Sequence, residues 1–449
     1  MSASPSPAPS TSVKVPKRVA AVILNSLKGG VVPRIGLPYI TVGREREIEA
    51  LLGDLELVAD GGASFRFLVG RYGAGKSFLL QTIRTHAMGR GFVVADADLS
   101  PERRLQGREG QGLATYRELV RNLSTKTRPE GGALGLVLDR WVAALSAEPD
   151  PAAALRAQMA PLQELVCGFD FARILTTYYE ASVNGDELAR DAAVRWLRGE
   201  YRTKTEARAA TGVNAVIGDD TWYEYLKLFA EFLTGAGYLG LVVLVDELVN
   251  LYKIPNAVTR QYNYEKLLAM YNDTLQGKAH HLGIIMGGTP QSIEDTRRGV
   301  YSYEALRSRL AQGRFSREGM SDLLAPVIHL EPLTYEELLV LCEKLADIHA
   351  GYHGYARTLG TPELVRFLQA EYGRVGAATH LTPREVIRDF IELLDILCQN
   401  PGADVDELLS SGAFAQAVLP AGAGGPAGGA TGAAGGPGAA ANPYAEFTL

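Results

Sequence analysis

Apolar positions recur along this chain in two rhythms. Short, densely apolar runs predict strands at Phe65-Arg66-Phe67-Leu68-Val69, Phe92-Val93-Val94-Ala95-Asp96-Ala97, Leu282-Gly283-Ile284-Ile285-Met286 and Pro326-Val327-Ile328-His329-Leu330. Leu241-Val242-Val243-Leu244-Val245 is continuous and ends in Asp246-Glu247, which predicts a central parallel strand covered on both faces. Elsewhere apolar residues fall three and four apart. That spacing predicts a helix with Ile48, Leu51 and Leu52 on one face, a helix from Phe78 to Ile83, and amphipathic segments over 113–123, 134–145, 155–166 and 186–199. Thr221-Trp222-Tyr223-Glu224 has the spacing of a capping box and opens an apolar helix reaching Leu233. Beyond Pro332 the pattern is all helical, with openings at Thr334-Tyr335-Glu336-Glu337, Thr361-Pro362 and Thr382-Pro383-Arg384-Glu385.

These elements predict an α/β fold with a parallel sheet and a separate helical unit behind it. Lys76 and Asp246 lie 170 positions apart, whereas one β-α-β unit takes about 30 residues. A large helical insertion, centred on 124–220, is therefore expected between the first strand and the acidic one. Such insertions carry partner contacts or are structural, and both readings stand. The expected division is a disordered leader over 1–17, a core over 18–332 with its insertion, a helical lid over 333–410 and a Gly/Ala-rich flexible tail over 411–449. Tyr444 and Phe447 at the tail tip suit docking into a groove or a frayed end equally.

Composition narrows the class. The 449 residues, 47% hydrophobic and 21% charged, make an ordinary soluble protein of two or three units. A net charge of −6 argues against chain-wide attraction to nucleic acid, leaving only a local basic patch. Cys167, Cys342 and Cys398 are far apart in apolar helical contexts and read as small buried hydrophobes in a reducing compartment. The seven histidines form no ligand-like cluster in sequence, and His280-His281 lacks a partner at ligand spacing. No apolar run reaches the roughly 18 residues of a membrane span, and the Ser/Pro/Ala-rich start has no hydrophobic core, so a cytoplasmic protein is expected.

The candidate chemistry concentrates at Gly70-Arg71-Tyr72-Gly73-Ala74-Gly75-Lys76-Ser77, which fits G-x-x-x-x-G-K-[ST] between a predicted strand and a predicted helix. Backbone N–H groups and a helix N-terminus there form an anion cradle; Lys76 neutralises terminal phosphates and the Ser77 hydroxyl suits Mg²⁺. A nucleoside triphosphate is the expected ligand. Asp246 is the expected partner of Mg²⁺ opposite Ser77, and Glu247 the residue that polarises an attacking water. Thr289, after the next strand, is either a γ-phosphate contact or a turn residue before Pro290. Arg307 and Arg309, followed by Arg314 and Arg317, suit an arginine finger acting in trans, with Arg309 ahead, or a phosphate-binding patch. Arg384 lies in a first helical turn, where the dipole disfavours a cation, which points to an anion nearby.

The order of these features resembles the AAA+ ATPases, and Val42-Gly43-Arg44-Glu45 resembles the adenine-pocket segment of their ORC/Cdc6 and STAND branches. Asp246-Glu247-Leu248-Val249-Asn250-Leu251-Tyr252, Gly287-Gly288-Thr289-Pro290, the segment from Gly299 to Leu310 and Leu381-Thr382-Pro383-Arg384-Glu385-Val386 bring the resemblance closer to the BREX-system ATP-binding proteins (BrxD-like) of bacterial phage-defence islands. The resemblance spans about 18–410 and implies an AAA+-like P-loop core, ATP and Mg²⁺ as cofactors, and a place beside a helicase, a methylase or other defence proteins. It admits two mechanisms: a hydrolysing AAA+ homo-oligomer, or a STAND-like nucleotide-gated switch with slow turnover. A structural subunit that keeps nucleotide only for folding fits poorly with intact Lys76, Ser77, Asp246 and Glu247. DNA binding stays open. No ABC signature or second RecA-like half follows the motif.

Overall fold

A computed structural model describes residues 14–311, 313, 322–374 and 382–410. The expected leader, Arg314, Arg317, Leu381 and the tail with Tyr444 and Phe447 lie wholly or largely outside those residues.

The five apolar runs form the five strands β1 (Ala63–Val69), β2 (Val93–Asp98), β3 (Leu241–Asp246), β4 (Leu282–Gly288) and β5 (Val327–His329). They pair in the order β2-β3-β4-β1-β5, every ladder parallel. Period-2 alternation decides which side chain faces which layer. Along β3, Leu241, Val243 and Val245 join one buried cluster while Val242 and Leu244 join another on the opposite face.

Helices cover both faces, and in chain order before the insertion they are α1 (Lys17–Lys28), α2 (Leu37–Ile40), α3 (Glu45–Ala59), α4 (Lys76–Arg90) and α5 (Gln111–Arg121). The insertion contributes α6 (Leu134–Ser146), α7 (Pro151–Gln163), α8 (Gly168–Asn184), α9 (Glu187–Leu197) and α10 (Lys204–Thr211). After it come α11 (Trp222–Gly235), α12 (Val249–Tyr252), α13 (Ala257–Leu275), α14 (Pro290–Glu294) and α15 (Glu304–Leu310). The chain continues with α16 (Tyr335–His353), α17 (Thr361–Gly373), α18 (Pro383–Gln399) and α19 (Val405–Leu409).

On one face of the sheet, Leu51, Leu55 and Val58 of α3 pack with Leu79, Leu80 and Ile83 of α4. On the other, the inserted helices share one continuous apolar cluster with the strands through α11. Trp141 and Phe232 meet edge to face at 5.2 Å, as do Phe171 and Phe229. Such pairs contribute about 0.5–1.5 kcal/mol each beyond their burial. A third cluster unites α1 and α2 with α16, α17 and α18, through Ile23, Leu24, Leu345, Phe367 and Phe390. Among the described residues, the first helix therefore packs against the last helical block, two regions that the sequence separates.

Two expected caps differ. Thr221 makes no side-chain cap: its hydroxyl accepts from the Gly218 N–H at 3.1 Å, so the Thr-x-x-Glu spacing is spent on the preceding turn. The α17 cap falls one residue early, where the Gly360 N–H donates to the Glu363 carboxylate at 2.8 Å. Thr334 and Thr382 do form reciprocal capping boxes with Glu337 and Glu385. Of the cysteines, Cys342 is buried, whereas Cys167 and Cys398 are half-exposed at helix ends.

Glu371 on α17 is fully buried beside Arg374 and Asp389. Burial first, then the Asp389 charge, pushes its carboxyl up to about 7, against the pull of Arg374. A carboxyl raised in the folded state contributes stability that is present at low pH and lost as pH rises through that value. Thermal unfolding should show the wild-type chain losing stability between about pH 5 and pH 8, by on the order of 3 kcal/mol, more steeply than Glu371→Gln. Parallel profiles for the two would refute this assignment.

Candidate functional site

All five strands end at one edge, and the segment after β1 turns there into the N-terminus of α4. Lys76 opens that helix and curls back, its ammonium donating to the carbonyls of Gly70 at 2.9 Å and Arg71 at 3.0 Å. Burial lowers its pKa and Arg384 adds repulsion, while Asp246 and Glu247 pull the other way. Ser77, the next residue, donates its hydroxyl to Asp246 Oδ2 at 2.6 Å. The sequence-distant pair thus meets at the edge, across β4, which lies between β1 and β3.

Asp246 is held from both sides. Its Oδ1 accepts from the Glu247 N–H at 2.8 Å, with Glu247 in the left-handed region at φ 63°. A Cβ on Gly287 of the neighbouring strand would stand 2.4 Å from that same oxygen, so only glycine admits the carboxylate there. Asp98 ends β2 in register with Asp246. Burial, then the charges of Asp246 and Asp98, raise the pKa of Glu247; burial, then Asp246 and Asp96, raise that of Asp98. Three carboxylates at adjoining strand ends therefore repel one another, and a cation among them would relieve that repulsion.

The cleft above this edge has about 1100 Å³ of space, open to solvent. Tyr72 to Ser77, Asp246, Glu247, Thr289 and Val42 line it, and Arg384 enters from α18 with its guanidinium 5.2 Å from the Tyr72 ring centroid. Gly70 and Arg71 serve through their carbonyls instead of lining the cleft. Gly43 also stands back from the wall, at φ 66°, where a Cβ would strike the Glu337 carboxylate of the α16 capping box. Gly73 plays the same part for α18, since its Cβ would come within 2.8 Å of the capping Thr382 hydroxyl. The two capping boxes thus press against glycines that flank the cleft.

Thr289 caps α14: its hydroxyl oxygen accepts from the Ser292 N–H at 3.2 Å, leaving the O–H free to donate. Arg307 and Arg309 are exposed on α15 and line no part of the cleft; Arg309 donates to the Ala305 carbonyl of its own helix at 2.7 Å. Sequence reasoning missed the apolar far wall, formed by Leu27, Val31, Val32, Ile40, Leu341 and Ile387. The amphipathic pattern of α1 was a readable signal, but nothing in it said which cluster that helix would join. Arg44 lines the cleft, as its place in the expected pocket segment implies, and it is buried: it anchors the glycine-rich turn by donating to the carbonyls of Ala74 at 3.2 Å and Glu331 at 2.7 Å.

Fold and cleft together define an α/β protein with a solvent-open cleft and a glycine-rich turn at the carboxyl edge of a parallel sheet. The model of the family described as BREX system ATP-binding protein BrxC/D matches residues 15–413, and the chain belongs to that family. An ATP-binding role in phage defence follows from that membership. Comparison with curated proteins finds no match. Among the described residues, no helix is long and apolar enough to cross a membrane.

Gly287→Ala should displace Asp246 and lengthen its contact with Ser77. Titration with a fluorescent ATP analogue should show Mg²⁺-dependent affinity falling about 10- to 100-fold, with little change when Mg²⁺ is absent. Equal losses in both conditions would mean that the added methyl disturbs the cradle itself.

Proposed function

We propose that the chain is a Mg²⁺-dependent ATPase with an AAA+-like P-loop core, a helical insertion over about 124–220 and a lid over 333–410. The observation that carries this reading is the 2.6 Å contact between Ser77 and Asp246, with Lys76 tethered beside it and Glu247 next in the chain. A hydroxyl and a carboxylate at that spacing are hard oxygen donors suited to Mg²⁺, and the repulsion among Asp98, Asp246 and Glu247 favours a cation there. Bound Mg²⁺ would supply charge neutralisation at the β- and γ-phosphates. The backbone N–H groups of residues 72–77 and the α4 N-terminus hold the phosphates, and Lys76 offsets their charge. Glu247 orients and polarises the attacking water, with Thr289 donating its free O–H to the γ-phosphate or to that water. The apolar wall that includes Val42 receives the base.

Arg384 lies on α18, whose apolar face joins the helical cluster opposite the sheet, so nucleotide touching both Lys76 and Arg384 would draw the two together. That double contact also supports the second reading, a STAND-like switch in which bound nucleotide sets the position of the lid and turnover is slow. Arg309, or Arg307, faces solvent and suits a finger acting on the nucleotide of a neighbouring copy in a homo-oligomer. Other defence-system proteins, a helicase among them, are the expected partners, and the same arginines are the place to look for DNA.

Glu247→Gln should lower kcat by about 10²- to 10⁴-fold while ATP affinity stays near wild type; an unchanged rate of phosphate release would remove Glu247 from its role. Lys76→Ala and Arg309→Ala should each be inactive alone. Mixed together, they should regain turnover through the hybrid interface that joins an intact cradle to an intact finger. No recovery on mixing, with a single-chain mass in the presence of ATP, would favour the switch over the ring.

A further inference from the structure

Two turns of α16 and the facing turn of α18 carry a cluster that plays no part in the cleft. Asp395 is 11 residues beyond Arg384 on α18, about 16 Å along the helix axis. His349 is buried at 1% exposure, its Nε2 lies 3.2 Å from Asp395 Oδ1, and its Nδ1 lies 2.9 Å from the Tyr355 hydroxyl. His353 follows one helical turn later on the same face, its ring centroid 4.4 Å from that of His349. One donor atom from each of His349, His353 and Asp395 falls within 4.8 Å of the other two. The histidines are four apart and their carboxylate partner comes from a helix 42 residues away or more, so linear spacing concealed the group.

We propose that His349, His353 and Asp395 bind one divalent transition-metal ion of the zinc class and so fasten α16 to α18. Two tetrahedral ligands with bonds of about 2.0–2.1 Å stand about 3.4 Å apart, close to the 3.2 Å between His349 Nε2 and Asp395 Oδ1. Those two ligands need almost no movement. His353 is exposed, so its imidazole is free to rotate the remaining distance, and water completes the sphere. Two imidazoles with one carboxylate favour zinc over the hard cations Mg²⁺ and Ca²⁺.

The surrounding groups suit this role. Without a cation, Nε2–H donates to Asp395 and the Tyr355 hydroxyl donates to Nδ1. With one, Nε2 turns its lone pair to the ion, the ring proton sits on Nδ1, and the Tyr355 oxygen accepts it; the imidazole is neutral in both states. Tyr355 thus positions the ring from behind, as partners of metal-bound histidines do. Lys28 of α1 pairs with the other Asp395 oxygen, Oδ2, and leaves Oδ1 to the ion. The Lys28 side chain is 52% exposed, so it can withdraw into solvent when the ion binds.

The test uses the untagged full chain with Co²⁺ as probe, in excess Mg²⁺ to fill the hard oxygen site at Ser77 and Asp246. We expect one equivalent of Co²⁺ with the intense visible bands of four-coordinate geometry, discharged by Zn²⁺. His353→Ala, at an exposed position, should abolish the bands while leaving the unfolding temperature of the metal-free chain unchanged. Asp395→Asn should abolish them too, and Tyr355→Phe should weaken binding by about 10- to 100-fold. Wild-type chain without these bands, or bands that persist in His353→Ala or in Asp395→Asn, would overturn the proposal. In that event the cluster is a hydrogen-bonded junction alone.

Discussion

The parallel direction of all five strands is the constraint from which the rest follows. Parallel neighbours cannot be joined by a tight turn, so the chain must cross a face of the sheet after each strand, and those crossings bury both faces. Every strand then ends at the same edge. The loop after β1, the carboxylates that end β3 and β2, and Thr289 after β4 meet there because the sheet leaves them nowhere else to go. The long insertion fits the same constraint: it is an extended crossing between β2 and β3 whose helices remain in one apolar cluster with the sheet.

That convergence has an electrostatic cost that the local structure partly meets. Asp246 satisfies one oxygen with the Ser77 hydroxyl and the other with the Glu247 N–H. Glu247 and Asp98 keep raised pKa values beside it because burial and mutual repulsion act together. A half-buried lysine, Lys76, whose ammonium is held by two carbonyls faces them. Opposed charges held apart at a solvent-open cleft suit a ligand that carries phosphates and a divalent cation together. The family is one of ATP-binding proteins, and the proposed site is of a kind that would suit such a ligand.

The opposite wall of the cleft obeys a different rule. It is apolar, and it comes from α1, α2, α16 and α18, a cluster that joins helices distant in sequence. Capping boxes at Thr334 and Thr382 set where α16 and α18 begin, and glycines at 43 and 73 let those beginnings come close. The proposed metal site lies further along the same two helices. It would hold α16 and α18 at a fixed distance while leaving their N-termini at the cleft.

Much of this was legible in the residues. Gly70 to Ser77, the apolar run into Asp246-Glu247, the five strands and the capped starts of α16 and α18 each carry a local signature, because strand burial, a glycine-rich turn and helix capping are decided within a few residues. Thr221 shows the limit even there: its cap spacing is correct, yet the hydroxyl bonds to Gly218 because an equally local turn competes for it. Sequence by itself determined the fold class, the glycine-rich turn between β1 and α4, and the identity of the charged groups around it. Tertiary structure alone decided that α1 would close the cleft, that Arg384 would stand over Tyr72 while Arg309 faced away, and that His349, His353 and Asp395 would come together. Those outcomes depend on which apolar face packs against which, and an amphipathic helix specifies only that it must bury a face, not the partner that covers it.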